Sequence, residues 1–198
     1  RVIFEVVENI DVLTLKALNG EIDMQVRHLG NLEQLPLFHQ NAARGDYRLI
    51  ETISTNGNSH AYSLNLNHKD PVLREIFHDP RFRKALSYAI NREEIIALTQ
   101  FGLAQPRQIS PLPGTPFYWE ELEKAYIEYD PELAKQLLAE MGLTRQNAEG
   151  IRLRPDGQPL RLLIDVTVGQ PDRIAATELV VRYWRDVGIE ARMNVIDR

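Results

Sequence analysis

The stretch Asp79–Ile96, with the sequence DPRFRKALSYAINREEII, constrains the fold of this chain most, because it encodes two consecutive helices. Asp79 suits a helix N-cap and Pro80 suits the first helical position. Apolar residues then recur at the spacing of a single helix face: Phe82, Ala85, Leu86, Ala89 and Ile90. Asn91 followed by Glu94 has the pattern of a capping box that starts a second helix. We therefore predict two short helices that meet at Asn91, the first with a buried face.

The N-terminal part of the chain shows the pattern of a β-α-β unit. Val2–Val7 and Ile22–Val26 are predicted as strands on either side of a helix at Asp11–Leu18. A further helix is expected over Leu32–Ala43, although Pro36 disturbs it, and a strand over Tyr47–Ser54.

The middle of the chain is predicted to contain loops between short elements. A turn signal at residues 56–59 precedes an extended pattern at Ala61–Leu66. Residues 105–116 contain four prolines and predict an extended loop. A helix is expected over Phe117–Ile127, and Asp130 with Pro131 starts another that ends at Gly142.

A second β-α-β pattern lies near the C-terminus. Residues 160–168 alternate apolar and mostly polar side chains, a helix is predicted up to Val187, and Ile189–Ile196 is predicted as a strand. Such crossovers join parallel strands, so the two strands are expected to be parallel, with the helix that carries Trp184 covering one sheet face.

Four segments, in order along the chain, resemble the family 5 extracellular solute-binding proteins, the peptide, oligopeptide and nickel receptors of ABC importers. They are LNGEIDM at Leu18–Met24, YSLNLN at Tyr62–Asn67, the helix pair of Asp79–Ile96, and YDPELAKQLLAEMGL at Tyr129–Leu143. In the family, an arginine-rich helix runs into a turn of the alanine-isoleucine-aspartate-arginine type. Asn91 stands where that aspartate is usual, a mild departure because both residues cap helices.

The resemblance implies an α/β fold of the periplasmic-binding-protein type (type II, cluster C), present here as a fragment with mixed sheets, β-α-β units and two partial lobes. Residues 1–60 would belong to the first lobe, 61–69 to the inter-lobe crossing and 70–198 to the second lobe. Family members are much longer than 198 residues. Since the chain starts at Arg1 with an apolar strand pattern, we expect it to be cut from a longer precursor.

The resemblance also implies a function. The complete protein would capture a solute, by default a peptide, and deliver it to the transmembrane subunits of an ABC permease by closure of two lobes. It would act outside the cytoplasm, in the periplasm or at the cell surface, membrane-anchored and with lipid attachment left open. No cofactor and no catalysis are expected.

Composition excludes several other classes. The chain has 43% hydrophobic residues and a net charge of −5 without a concentrated basic stripe, which gives nucleic-acid binding little support. No run is long and apolar enough for a membrane span, so membrane insertion by these residues is not expected. There are no cysteines, which excludes disulfides and thiolate chemistry.

The sequence offers no metal or catalytic motif. The five histidines lack the short spacings of a zinc or nickel site, so no metal site is predicted. No nucleophile elbow, phosphate-binding glycine loop or HExxH motif occurs. Two alternatives stay open: a protein-interaction module without a small-molecule ligand, and an α/β enzyme fragment.

Two groups of polar residues are predicted to contact the solute. Arg27 and His28 follow the predicted strand at Ile22–Val26, and strand ends of open α/β sheets tend to hold ligand-contacting groups. The alternative is that both are exposed loop residues.

The second group lies at the predicted crossing and comprises Asn56, Asn58, His60 and Tyr62. Amides, an imidazole and a phenol donate and accept hydrogen bonds, which suits a peptide backbone or a sugar. The alternative is that the asparagines only make a turn and that Tyr62 packs on the sheet. The aromatic run 117–119 either lines a pocket or anchors its own helix.

Overall fold

A computed structural model describes residues 1–26, 29, 32–50, 57–169 and 171–197. The chain divides into two compact units, residues 1–54 and 55–198. The helices are α1 (Ile10–Leu18), α2 (Leu35–Gly45), α3 (Pro71–His78), α4 (Pro80–Tyr88), α5 (Arg92–Thr99), α6 (Glu120–Glu123), α7 (Pro131–Glu140) and α8 (Pro171–Asp186), and the strands are β1 (Arg161–Thr167) and β2 (Glu190–Ile196).

The first unit consists of α1, α2 and their flanking segments. Asn9 caps α1 by accepting hydrogen bonds from the backbone N–H groups of Asp11 and Val12. Gly20 has a φ of +72° and faces the Gly45 carbonyl so closely that a Cβ atom would lie 2.1 Å from its oxygen. The helix predicted at Asp11–Leu18 is therefore confirmed, and its glycine stop lies against the end of α2.

The strands predicted in the first unit are wrong for the residues that the structure describes. Neither residues 1–26 nor residues 47–50 form a strand, and residues 51–54 lie outside the described part. A strand requires hydrogen bonds to a neighbouring strand, and the described residues of this unit supply none. The apolar side chains of Val2, Ile3, Phe4 and Val6 are at least 74% exposed. The first β-α-β unit is thus an α1 helix between irregular segments.

In the second unit, three helices start at an Asp-Pro pair. Asp70, Asp79 and Asp130 each accept backbone hydrogen bonds as the N-caps of α3, α4 and α7. The predicted starts of α4 and α7 are confirmed, whereas α3 was not predicted. Asp79 also follows the last residue of α3, so one aspartate separates the two helices.

The predicted apolar face of α4 forms part of the core. Its five members are at most 8% exposed, and they pack with residues of α3, α7, α8 and the sheet. Asn91 caps α5 by accepting the N–H of Glu94 at 3.1 Å. The Glu94 carboxylate, however, accepts hydrogen bonds from Arg182 and the Tyr183 hydroxyl of α8. Only the Asn91 half of the predicted capping box forms. The Glu94 carboxylate links α5 to α8 instead of bonding the start of its own helix.

The C-terminal β-α-β unit is confirmed. β1 and β2 are parallel, with Arg161 opposite Glu190 and Thr167 opposite Ile196. α8 connects the strands and buries Val180, Tyr183 and Trp184. The Trp184 indole Nε1 donates to the Leu86 carbonyl at 3.1 Å, which fixes α8 against α4.

Two other predictions in the second unit differ from the structure. Residues 61–66 are irregular rather than a strand. The helix expected at Phe117–Ile127 is only the single turn α6. The Gln108 N–H donates to the Glu123 carbonyl at 2.8 Å, and Tyr126 adopts a φ of +57°, which is not a right-handed helical conformation, so the helix does not continue. The loop predicted at residues 105–116 is confirmed.

None of the helices in the described residues has the length and hydropathy of a membrane span. Within those same residues, no group of three or more histidine or acidic side chains is placed to hold a metal ion.

Candidate functional site

A cleft of about 870 Å³ opens in the second unit. Its walls are the segment 57–66, the helices α4 and α5, the loop 104–109 and the segment around Tyr126, with Ala176 and Trp184 of α8 at one side. Volumes of this size are typical of small-molecule sites. The cleft is therefore the candidate binding site of this unit.

Three of the six predicted site residues line this cleft, namely Asn58, His60 and Tyr62. The other three, Arg27, His28 and Asn56, lie outside the described residues. The sequence prediction for them stays a prediction.

Asn58 joins the segment 57–66 to the loop across the cleft. Its Nδ2 donates to the Arg107 carbonyl at 3.4 Å. Its Oδ1 is buried and has no hydrogen-bond partner among the described residues, as is also true of Arg107 Nε. Buried polar atoms without a partner are costly and tend to mark a place for water or a ligand. The acceptor Asn58 Oδ1 and the donor Arg107 Nε therefore both lack a hydrogen-bond partner among the described residues of the cleft.

His60 lies between a serine and the start of α8. Its Nδ1 is 3.2 Å from Ser59 Oγ, and its Nε2 is 3.4 Å from an oxygen of Asp172. The latter distance lies within ion-pair range, but Nε2 makes no hydrogen bond there, so the contact is a weak one. Burial lowers the pKa of His60, and the nearby Asp172 carboxylate offsets only part of this effect. His60 is consequently neutral at pH 7.

Tyr62 is fixed to α8. Its hydroxyl lies 3.1 Å from Thr177 Oγ1, and its ring contacts the Trp184 ring edge-on at 5.8 Å between centroids. Burial raises the pKa of Tyr62. Tyr62 therefore packs against the edge of the hydrophobic core and also forms part of the cleft wall.

A polar network behind α4 and α5 was not predicted. Ser87 Oγ donates to the Tyr126 carbonyl at 2.7 Å and accepts from Arg92 at 2.7 Å and Gln108 at 3.0 Å. Arg92 also donates to the carbonyls of Ser87 and Ile127. Burial lowers the pKa of Arg92. The network holds the loop 104–109 and the Tyr126 segment against the helix pair, so it determines the shape of the cleft.

Sequence reasoning missed this network because its hydrogen-bonded partners are up to 39 residues apart. The only signal of it in the sequence was Arg92, the arginine that follows Asn91, and this residue was interpreted as part of the turn that resembles the family. Neither Phe117 nor Trp119 lines the cleft; both are exposed, by 81% and 58%. Of this segment, Leu122, Ala125 and Tyr126 line it instead.

Comparison with known proteins connects this geometry to a family. The sequence model of the bacterial extracellular solute-binding proteins, family 5 (Middle), matches residues 1–198. The oligopeptide-binding protein AppA of Bacillus subtilis is 28% identical over 126 residues, which cover 62% of this chain and 22% of AppA. The heme-binding protein A of Haemophilus influenzae is 31% identical over 114 residues, which cover 58% of this chain and 19% of that protein.

A solved structure extends the likeness to the fold. The oligopeptide-binding protein OppA superposes with a TM-score of 0.74 and 44% identity, covering 97% of this chain and 31% of that one. The chain thus spans about a fifth to a third of the length of these proteins. The α/β, periplasmic-binding-protein fold expected from the resemblance is confirmed, and the chain belongs to the family 5 bacterial extracellular solute-binding proteins.

Proposed function

We propose that this chain is part of the solute-capturing component of an ABC importer, and that the solute is a peptide. The observation that carries the proposal is the 44% identity to an oligopeptide-binding protein over 97% of the chain. The cleft of about 870 Å³ supports it, because its mixed polar and apolar walls suit a flexible peptide.

The proposed mechanism is hinge closure of two lobes around the solute. Residues 1–60 would belong to one lobe, 61–69 to the crossing and 70–198 to the other. The division of the chain into compact units after Ser54 supports a boundary in this region. A ligand shifts such an open-closed equilibrium only through contacts that it makes better in the closed form.

The proposed solute contacts come from both predicted groups. Asn58 and His60 line the cleft with polar atoms that lack hydrogen-bond partners in the described structure. Tyr62 would contribute its ring, since its hydroxyl is taken by Thr177. Arg27, His28 and Asn56 would complete the set.

The remaining features of the proposal concern the complete protein. It would bind its solute without catalysis and would reside outside the cytoplasm. It would pass the solute to the permease subunits of the importer. The family name supports the location, and the family's known members are solute-binding proteins rather than enzymes.

The test is to purify the complete protein under native conditions and identify the bound solute by mass spectrometry after denaturation. We expect a mixture of short peptides, which disappears after unfolding and refolding. Recovery of heme, as the Haemophilus influenzae relative's name would suggest for that protein, or of no solute by any preparation, would contradict the peptide proposal.

A further inference from the structure

The charge lining the cleft is positive, although the chain as a whole has a net charge of −5. Four cationic side chains line it, namely Arg83, Lys84, Arg92 and Arg107. Not one Asp or Glu occurs among its described lining residues. A cleft with low-dielectric walls and one sign of charge concentrates the field inside it. The sign of this field therefore bears on the kind of solute that enters.

The partners of these cations decide how much of the charge remains. Arg107 is paired with Glu123, at 2.7 Å from Nη2 to Oε1. It is the one lining cation with a carboxylate within 4.0 Å among the residues the structure describes. A pair of this kind has no net charge, so Arg107 contributes little to the field.

Two of the other cations are solvated by backbone carbonyls. Arg83 donates to the carbonyls of Phe77 and His78 at the end of α3, and Arg92 donates to those of Ser87 and Ile127. Carbonyl dipoles stabilise a guanidinium without cancelling its full charge. Glu128 acts on Arg92 only as a more distant charge.

Of the four cations, Lys84 has the charged group that is best placed to bind a solute. It is half-buried on α4, and its ammonium lies 4.7 Å above the ring centroid of Tyr126. A cation over an aromatic ring keeps its charge and its capacity to donate hydrogen bonds to another group. No carboxylate of the described chain lies within ion-pair distance of it.

We propose that this cleft selects a solute that carries a negative charge, an acidic peptide, with Lys84 as the main contact for its carboxylate. This inference rests on the proposed function, and it adds the charge class of the solute. Arg92, which is partly buried, reinforces the preference through its field, since partly buried charges are screened less by salt than exposed ones. Arg83 is exposed and adds less.

The experiment uses the complete protein and three pools of pentapeptides. Each pool consists of five pentapeptides that are alanine except at one position, and this position differs from peptide to peptide. The residue at that position is Glu in the first pool, Gln in the second and Lys in the third. Calorimetry is expected to show the Glu pool binding about tenfold more tightly than the Gln pool, the size of one charge-assisted hydrogen bond, and the Lys pool most weakly.

Two lysine variants locate the effect. Lys84→Gln is expected to bring the Glu pool to the affinity of the Gln pool, so that the ratio between the two affinities falls from about ten to about one. Lys135→Gln removes the same charge from α7, outside the lining of the cleft, where the lysine pairs with Glu132. This control is expected to keep the full preference. Raising the salt concentration should weaken only the Glu pool.

The outcomes separate the two proposals. Tight binding of all pools without a charge preference, or a preference that survives Lys84→Gln, overturns the acidic-solute inference and leaves the peptide receptor intact. Failure of all peptide pools together with binding of a non-peptide dicarboxylate, such as succinate, overturns the peptide assignment and supports the charge class. Failure of every probe overturns both.

Discussion

The hydroxyl group of Tyr62 donates a hydrogen bond to Oγ1 of Thr177 at 3.1 Å, across 115 residues of sequence. The direction follows from Thr177, whose own hydroxyl donates to the Arg173 carbonyl at 2.7 Å and is thus able only to accept from Tyr62. The bond connects the irregular segment 57–66 to α8. Together with the edge-on contact to Trp184, it fixes one wall of the cleft to the core.

Replacing Tyr62 by Phe is expected to destabilise the chain by about 0.5–1.5 kcal/mol, because one partly buried hydrogen bond is lost. Urea unfolding followed by tryptophan fluorescence measures this change. In a double-mutant cycle with Thr177→Val, the two effects should be less than additive, since the bond between the two hydroxyl groups is lost only once, while Thr177→Val also removes the donation to the Arg173 carbonyl in both backgrounds. Full additivity would show that the hydroxyl groups do not interact.

Gly188→Ala is expected to destabilise the chain by about 2–4 kcal/mol, for two reasons. Gly188 has a φ of +88°, and an added Cβ would lie 2.9 Å from Arg152 Cγ and 3.2 Å from the Gly150 carbonyl oxygen. Gly157→Ala is the matched control, because φ is +82° but nothing lies within 4 Å of the added atom. It should cost only about 1–2 kcal/mol of conformational strain. Equal losses of unfolding free energy would exclude a steric role for Arg152.

Arg152 is a buried guanidinium whose partners are backbone carbonyls. It donates to the carbonyls of Val187 and Leu143, which follow the ends of α8 and α7, and burial lowers its pKa. Arg152→Met is expected to cost about 2–4 kcal/mol, because it withdraws these donors from buried acceptors. Arg152→Lys should recover only part of that loss, since an ammonium does not span both carbonyls as a guanidinium does.

The control for this prediction is Arg145→Met, which removes an exposed arginine from the same segment and should change the free energy of unfolding by less than about 0.5 kcal/mol. A loss for Arg145→Met as large as that for Arg152→Met would point to a general effect of charge.

The stability of the chain should depend on the protonation of His60. Its pKa in the folded chain is lowered by burial, so the folded state binds protons less readily than the unfolded state. Stability is therefore full above the unfolded pKa of about 6.5 and is lost as the pH falls below it towards the folded pKa. Arg173 acts in the same direction, and Asp172 opposes it.

Urea unfolding of the chain and of His60→Asn between pH 7.5 and pH 5 measures this effect. The free energy of unfolding should decrease less with acidification in His60→Asn than in the unchanged chain. A variant with the same pH dependence as the unchanged chain would rule out His60 as the cause.

The sequence predicted elements best where local rules act. Asp79 with Pro80, Asp130 with Pro131, and the glycine stops after α7 and α8 depend on neighbouring residues only, and these elements formed as expected. The parallel pairing of β1 with β2 followed from the handedness of crossovers.

Predictions that depended on distant partners were less successful. Val2–Val7 has the pattern of a strand, but its described neighbours offer no strand to pair with. Glu94 was expected to bond its own helix start, and it bonds Arg182 and Tyr183 of α8 instead. The cleft network around Ser87 depends on three segments that only the tertiary fold brings together. Of the predicted site, Asn58, His60 and Tyr62 line the cleft, and their chemical role stays a prediction.

The most direct measurement of the central claim compares peptide affinity in the complete protein and in residues 1–198 alone. A micromolar complex requires about 8 kcal/mol, and we expect the complete protein to reach it by closing two lobes over the peptide. The isolated residues should bind the same peptides at least about a hundredfold more weakly, because one wall offers fewer simultaneous contacts. Equal affinity of the two proteins in calorimetry would contradict the account of this chain as one part of a closing receptor.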